Sequence, residues 1–418
     1  MSRLSIVIFG ATGFTGKHAV RELVRVGKAD SALTWGVAGR SRDKLQSMLD
    51  ETSKATGEDL SSVKIIVADV GDEKSLKEMC SQAHVLVNCC GPYRHYGEPV
   101  VRAAIDGKAH YVDVSGEPQF IESMQLEYDQ QARDAGVFVI SACGFDSVPN
   151  DLGVIHLQRH FGGTLNSVES YLTTQAPAEG RTSGAINYGT WESLIYGLAH
   201  YNELPALRKK LYPERLPTFK PKLLPRSVIH AREDGWCLPF PGSDSSVVYR
   251  THRHLYEHEH KRPVQIKTYV KFPSLLTALS VALAAAFLFL LSKLSLTRGL
   301  LLKYPRVFSL GLVARGPSEE VTRNTHFKFE LYGEGWEAGA DVEATPPNKK
   351  VKAQVSGVNP GYGATVVALL HCALTILRER DSMPKEGGVV TTGVAFRNTH
   401  LIQRLCENNL KFEIVNDK

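Results

Sequence analysis

Gly10, Gly13 and Gly16 stand three residues apart in the run Gly10-Ala11-Thr12-Gly13-Phe14-Thr15-Gly16. Glycines at that spacing let a chain turn tightly, let a bulky anion approach bare backbone N–H groups, and let a following helix pack against a preceding strand. A helix that opens here adds the partial positive charge of its N-terminus, so the chemistry is that of a phosphate cradle. The flanks suit this reading. Leu4 to Phe9 is a short apolar run of the kind that makes a buried parallel strand. A helical pattern begins at Lys17 and carries Ala19, Val20, Leu23 and Val24 on one stripe, with Gly27 as its stop. Strand, glycine turn and helix in this order make a dinucleotide-binding turn, with residues 10–16 as its contacts.

The elements that position this turn repeat along the first 150 residues. Strands are predicted at Thr34–Ala38, Lys64–Ala68, Val85–Asn88, around His110–Val114 and at Gly136–Ile140, each separated from the next by a helical or turn segment. Six such alternations predict an α/β fold, a doubly wound parallel Rossmann sheet over residues 1–152. In that fold the ligand lies at the carboxyl ends of the strands, so the strand tips carry the remaining chemistry.

The second strand ends in Gly39-Arg40-Ser41, with Lys44 following. A carboxylate there would accept the ribose hydroxyls of NAD; a cation and a hydroxyl suit the 2′-phosphate of NADP, unless Arg40 and Lys44 are simply a solvated loop. Asp30 precedes the second strand and is misplaced for the ribose role. NADP is therefore the expected cofactor, with NAD as the alternative. Asp69-Val70 ends the third strand beside the expected adenine, and Cys90-Gly91-Pro92-Tyr93 ends the fourth over the expected nicotinamide, where an ordinary turn is the competing reading. Tyr93, His95 and Tyr96 are candidate proton donors there, with Asp113, Ser115 and Asp146 as groups that orient or relay. A tyrosine packed on the cofactor and an aspartate capping a helix are the structural alternatives.

With 418 residues the chain is long enough for two domains, and its net charge of +5 is mild. That charge suits phosphates or acidic lipids and argues against a nucleic-acid partner. Seven cysteines at irregular spacing, without a C-x-x-C pair, suit a reduced compartment and predict no metal site. The first apolar run is too short for a signal peptide, so synthesis in the cytosol is expected.

Residues 153–418 are predicted to form a second, mixed α/β domain that binds substrate or dimerises. A helix runs from Gly153, a strand covers Ser167–Thr174, and the polar stretch Arg181 to Ser193 enters a helix near Thr190 whose start is either an anion site or a mere cap. Residues 205–245 carry seven prolines and suggest an extended excursion. The histidines of Arg250 to Arg262 alternate as on a solvated strand or loop, with a metal site as the lesser reading. Strands at His326–Gly333 and Lys350–Val355, an apolar helix Ala364–Leu377 packed back on that sheet, a further segment Val389–Phe396 and a last helix Leu401–Asn409 complete the domain.

Leu275 to Leu291 contains no charge and as a helix extends roughly 25 Å, just short of a bilayer's ~30 Å hydrocarbon core. Basic residues flank it on both sides: Lys261, Arg262, Lys267 and Lys271 before, Lys293, Arg298, Lys303 and Arg306 after. Symmetric flanks suit an element that enters and returns through one anionic face, so residues 263–312 are read as a monotopic anchor on a lipid monolayer or membrane surface. A full span and a core helix buried in a homodimer interface are the alternatives.

Five ordered motifs, residues 10–16, Ala38-Gly39-Arg40-Ser41, residues 88–93, residues 111–117 and residues 144–151, closely resemble those of the saccharopine dehydrogenase-like oxidoreductases. The resemblance spans the chain. These proteins are similar to saccharopine reductases and to bacterial trans-acting enoyl reductases of complex lipid synthesis. It implies an NADP-dependent oxidoreductase, and since the family's animal members are found on lipid droplets and membranes, it also implies a lipid droplet or the cytosolic face of a membrane as the location. A saccharopine-type substrate is multiply charged, whereas this second domain carries a long apolar insertion. The expectation is hydride transfer with an apolar, lipid-like small molecule; the alternatives are a non-catalytic cofactor-binding scaffold and a saccharopine reductase-type amino-acid enzyme.

Overall fold

Alternating apolar strands and one-sided helices produce the expected order at the start of the chain. In the computed structural model, which describes residues 2–177, 186–314 and 323–415, β1 (Leu4–Phe9) is followed by α1 (Phe14–Gly27), β2 (Trp35–Gly39), α2 (Arg42–Thr56) and β3 (Lys64–Val67). Then come α3 (Glu73–Cys80), β4 (Ala83–Asn88), α4 (Tyr93–Asp106), β5 (His110–Asp113), α5 (Pro118–Asp134) and β6 (Phe138–Ile140). These strands pair in parallel in the order β3-β2-β1-β4-β5-β6. This is the doubly wound order, which reverses at β1 and opens the crevice beside the glycine turn. Ile6, Val7 and Ile8 are wholly buried, as is the α1 stripe of Ala19, Val20 and Leu23.

The rest of the chain continues through α6 (Val148–His160), β7 (Gly163–Gln175), β8 (Ile186–Asn187), α7 (Tyr188–Ala199), α8 (Leu204–Leu211), β9 (His230–Arg232) and β10 (Gly235–Pro239). It goes on through α9 (Asp244–Glu259), β11 (Gln265–Phe272), α10 (Leu275–Lys293), α11 (Ser295–Lys303), α12 (Pro305–Phe308), β12 (Val313–Ala314), β13 (His326–Glu337) and β14 (Lys349–Val358). Last are α13 (Thr365–Arg378), β15 (Gly388–Val389), two short helices and β16 (Leu410–Val415).

Two compact units result, and their boundary departs from the expected division at residue 152. The first holds the chain up to Phe145 together with Gly361–Val390 and Ala395–Leu405; the second holds Asp146–Pro360, Thr391–Val394 and the residues from Cys406 onward. The chain returns to the first unit for a physical reason. Leu369, Leu370, Cys372, Ala373 and Leu374 of α13 are wholly buried, because the helix packs on β4, β5 and α1 rather than on the second sheet. Each buried leucine contributes about 1.5–3 kcal/mol to that docking. β15 adds a seventh parallel strand beside β6. The segment Val389–Phe396, expected in the second domain, holds the last residue of this edge strand and then a helix, Thr392–Phe396.

In the second unit a seven-stranded sheet runs β16-β14-β13-β7-β11-β10-β9. β7 pairs in parallel with β11 and antiparallel with β13, whose other neighbour β14 is antiparallel too. α6 packs on β13 and β14, and α9 packs on α6 and β11. A buried polar network joins these helices: Asn150 Nδ2 donates to Asp244 Oδ1 at 2.5 Å while its Oδ1 accepts from Ser170 Oγ at 2.5 Å. The proline-rich stretch contains α8, β9 and β10 rather than only an extended excursion.

The histidine-rich run is likewise a helix, α9, not a strand or loop. Val247, Val248, Thr251 and Leu255 are buried at helical spacing, but Arg250, His252 and Arg253 are buried beside them, and these polar residue types on the inner side obscured that period. Among the described residues no three His, Cys, Asp or Glu side chains come together as a metal site. His252 is 2% exposed, neither ring nitrogen has a hydrogen-bond partner in the described structure, and burial lowers its pKa to about 3. An unfolded histidine titrates near 6.5, so below that pH the unfolded chain takes up a proton that the folded chain refuses, and stability falls as pH drops towards 3. His252→Leu removes this loss. Thermal melts are expected to show the variant about 2 kcal/mol more stable than its parent near pH 5, with the gap narrowing by about pH 7.5. An equal gap at both values would mean that His252 does not titrate in this way.

Candidate cofactor site

At the tip of β1 the glycines act through backbone geometry. Gly10 has φ +77°, and a Cβ on it would lie 3.0 Å from the carbonyl carbon of Cys89. Gly13 N–H donates to Gly10 O at 2.9 Å, and a Cβ on Gly16 would fall 2.2 Å from that same oxygen. Helix α1 therefore starts hard against the turn. Its N-cap residue, Gly13, offers no side-chain acceptor, and the first turn contains no acid. Lys17 N–H bonds to Gly13 O, so the N–H groups of Phe14, Thr15 and Gly16 are the ones that a helix leaves without an internal partner.

Neighbouring helix starts differ. Ser41 caps α2 through a bond from Lys44 N–H, Asp72 caps α3, and the carboxylate of Glu117 accepts from Tyr93 N–H and Arg94 N–H at 3.0 and 2.9 Å at the start of α4. Of these four helices, α1 is the one whose first turn no described side chain caps. The cradle, its glycines and its uncapped N-terminus fit a pyrophosphate.

The adjoining strand tips are close enough to interact electrostatically. Arg40 and Lys44 are exposed, while Ser41 is partly used as a cap. Burial pushes the Cys90 thiol pKa up, Arg40 pulls it down and Asp69 pushes it up again. The tips of β2, β3 and β4 thus share one neighbourhood. Asp69 Oδ1 accepts from Gly71 N–H at 2.8 Å in a local turn, and Val70 is half-buried. Gly91 is exposed and Pro92, the N-cap of α4, is buried.

Asp113 ties the sheet edge together. Its Oδ2 accepts from Tyr111 Oη at 2.8 Å and Ser141 Oγ at 2.9 Å, and its Oδ1 accepts from Ser115 N–H at 2.9 Å and Ala142 N–H at 3.1 Å. Burial raises its pKa to about 6, against the pull of those bonds. Ala142 holds φ +59° in making its contact, a backbone conformation that costs about 1–3 kcal/mol outside glycine. Tyr93 is buried as well: its hydroxyl donates to Asn88 O at 2.9 Å and accepts from Val114 N–H at 3.4 Å. Tyr93 and Asp113 are thereby committed to joining β4, β5 and β6. His95 and Tyr96, on the first turn of α4, are exposed. Asp146 lies in the second unit, where burial raises its pKa to about 6. There Asn187 caps α7 by accepting from Gly189 N–H at 2.9 Å; residues 181–185 of that polar stretch lie outside the described residues.

One group with no visible role in the sequence reaches the glycine turn. Tyr362, in the turn before α13, packs edge-on to Phe14 with ring centroids 4.3 Å apart and stacks on His18 at 5.3 Å. Three residues on, Thr365 Oγ1 accepts from Phe145 N–H at 3.3 Å. The Pro-Gly-Tyr-Gly punctuation marks a turn in the sequence, but nothing local says which unit it joins. Tyr362→Ala is expected to weaken NADPH binding, measured by calorimetry, roughly 2- to 10-fold, the worth of one aromatic pair. Tyr362→Phe, which keeps the ring, should bind more tightly than Tyr362→Ala; equal affinity for all three proteins would leave Tyr362 without a bracing role.

Residues 6–140 match the family model of the saccharopine dehydrogenase NADP-binding domain. A human saccharopine dehydrogenase-like oxidoreductase is 41% identical over 418 aligned residues, covering 98% of this chain and 97% of that one. This chain belongs to the saccharopine dehydrogenase-like oxidoreductase family. Another relative, from Caenorhabditis elegans and named lipid droplet localized protein, is 38% identical and covered over 99% of both chains. The fold also matches apo saccharopine dehydrogenase (L-Glu forming) from Saccharomyces cerevisiae, with a TM-score of 0.54 at 15% identity over 98% of this chain and 99% of that one. The first unit of this oxidoreductase family member is thus an NADP-binding Rossmann domain.

Proposed function

We propose that this protein is an NADP-dependent oxidoreductase that transfers a hydride to or from an apolar, lipid-like substrate while attached to a lipid droplet or the cytosolic face of a membrane. The observation that carries the lipid part is α10: Leu276, Leu283 and Leu290 are 76, 71 and 67% exposed on a helix without internal charge. An exposed apolar surface of that extent marks a partner or a lipid phase. The name of the nematode relative agrees with this location.

Backbone N–H groups of residues 10–16 hold the pyrophosphate in this reading. Arg40 and Lys44 would hold the 2′-phosphate, Asp69 and Val70 the adenine, and Cys90, Gly91 and Pro92 the nicotinamide end. When bound there, NADP would supply the hydride-transfer chemistry of its nicotinamide. His95 and Tyr96 are the donors or acceptors of the accompanying proton, with Tyr93 and Asp113 as positioning residues and Asp146 as a relay.

Arg40→Glu tests the cofactor assignment. It is expected to weaken NADPH binding roughly 10- to 100-fold, the scale of lost charge-assisted hydrogen bonds, while sparing NADH. An unchanged NADPH/NADH ratio removes Arg40 from that role. For the substrate, NADPH consumption is compared with long-chain carbonyl or enoyl lipids dispersed in detergent and with glutamate plus an amino-adipate semialdehyde. Turnover of the amino-acid pair alone would establish the saccharopine-type alternative, and NADPH binding with neither reaction would favour the scaffold reading.

A further inference from the structure

We infer that α10, α11 and α12 enter a single phospholipid leaflet from its aqueous face and leave by that same face, so that the chain docks on lipid without crossing it. This rests on the proposed lipid association and adds its geometry. The argument is one of connectivity. Strands on both sides of α10 in sequence belong to one sheet: β7, β9, β10 and β11 precede it, β13, β14 and β16 follow it, and β13 is paired directly to β7 from His326 to Glu337. A helix that crossed a bilayer once would place these two groups of strands in different compartments, and the sheet could not form.

Among the described residues between α10 and β13, no element is long enough to make a second crossing that brings the chain back. α11 and α12 have 9 and 4 residues, roughly 14 and 6 Å of helix against a ~30 Å core, and Arg298, Lys303 and Arg306 interrupt them. The return is in fact complete within a few residues. Lys293 Nζ, at the end of α10, donates to Leu198 O and Ala199 O at the end of α7 at 2.9 and 3.2 Å. Trp191 Nε1 of α7 donates to Leu301 O of α11 at 3.0 Å. By Val313 the chain is paired in parallel with β8. The other end of α10 is held as well, since it packs against β10 and β11 and buries Ala278.

Between these tethers, residues 279–281 and 283–287 are exposed on every face of the helix. A helix about 10–12 Å across fits within one leaflet of roughly 15 Å. The apolar surface continues onto Leu294, Leu296, Leu300, Val307 and Leu310. Lys303 and Arg306 are exposed beside it, placed for anionic headgroups at the edge of the patch.

Two measurements on the full chain test this. In flotation assays the protein is expected to rise with triolein droplets coated by a monolayer of phosphatidylcholine and phosphatidylserine at least as well as with bilayer vesicles of the same phospholipids. Leu283→Glu combined with Phe287→Glu should cut both at least tenfold while NADPH affinity stays unchanged. Topology is read on sealed vesicles carrying the bound protein: Lys210→Cys, before α10, and Lys350→Cys, after it, are labelled with an impermeant maleimide and the modified peptides mapped. Both sites should react from outside without detergent. Protection of either one, or binding to bilayers with none to coated droplets, overturns the one-leaflet geometry while leaving lipid association standing. Failure of the parent to float with either lipid form overturns the association itself, and a dimer in solution with α10 protected from proteolysis would assign the patch to a second copy.

Discussion

Gly16→Ala is expected to weaken NADPH binding roughly 10- to 100-fold, the binding equivalent of ~1–3 kcal/mol of overpacking. The added methyl would sit 2.2 Å from Gly10 O, and the obstacle is backbone that cannot rotate away. That carbonyl already accepts the Gly13 N–H at 2.9 Å. Relief of the clash must therefore pull apart the turn or push α1 off the end of β1, and either movement disperses the N–H groups proposed to hold the phosphates. Gly27, at the other end of α1, provides the control. A Cβ there meets nothing within 4 Å, so Gly27→Ala should bind NADPH as the parent does and be slightly more stable, since alanine favours a helix over glycine. Equal NADPH affinity in Gly16→Ala, measured by calorimetry at matched folding by circular dichroism, would remove the turn from the binding site.

The second large effect falls on stability. Asp113→Ala leaves four buried donors, Tyr111 Oη, Ser141 Oγ and the N–H groups of Ser115 and Ala142, without the acceptor on which they converge. Each unsatisfied buried donor costs about 1–3 kcal/mol. Denaturant unfolding should show a loss of at least about 3 kcal/mol, and NADPH binding should weaken with it as the tips of β4, β5 and β6 separate. The pH dependence has a definite sign. The folded pKa of about 6 lies above the value near 3.9 of an unfolded aspartate. Its contribution is therefore fully present below about pH 4 and diminishes as pH rises through 6. The gap between parent and variant should narrow over that interval; a gap that widens would contradict the assignment of this titration to Asp113.

The parallel sheet was legible from residues 4–140 because each strand is a short apolar run and each following helix has a one-sided stripe. The glycine turn was legible because its chemistry is local: three glycines, a strand before and a helix after. Tyr93 and Asp113 show where local reading ends. Their residue types are those of proton donors and relays, but Asp113 also accepts from Ser141 and Ala142 beyond the end of β6, and the Tyr93 hydroxyl meets Val114 N–H beyond the end of β5, and no local spacing encodes those partners. The histidine run misled for a related reason, since Arg250, His252 and Arg253 read as solvated residue types yet are buried beside the apolar positions of α9. The division into units was hidden as well. α13 is apolar on several faces, and that pattern says it is buried without saying under which sheet.

The discontinuity of the first unit has a consequence for how the protein is made. On a ribosome, the residues up to Phe145 emerge early, yet the surface over β4 and β5 stays bare until α13 has been synthesised, and the edge of β6 has no partner until Gly388 and Val389 follow. During that interval the nascent nucleotide domain presents an open strand edge and an apolar face, features that invite association with other chains. A fragment ending at residue 152 would carry the same two defects permanently. A soluble cofactor domain would instead need residues 361–390 joined back to it by a linker.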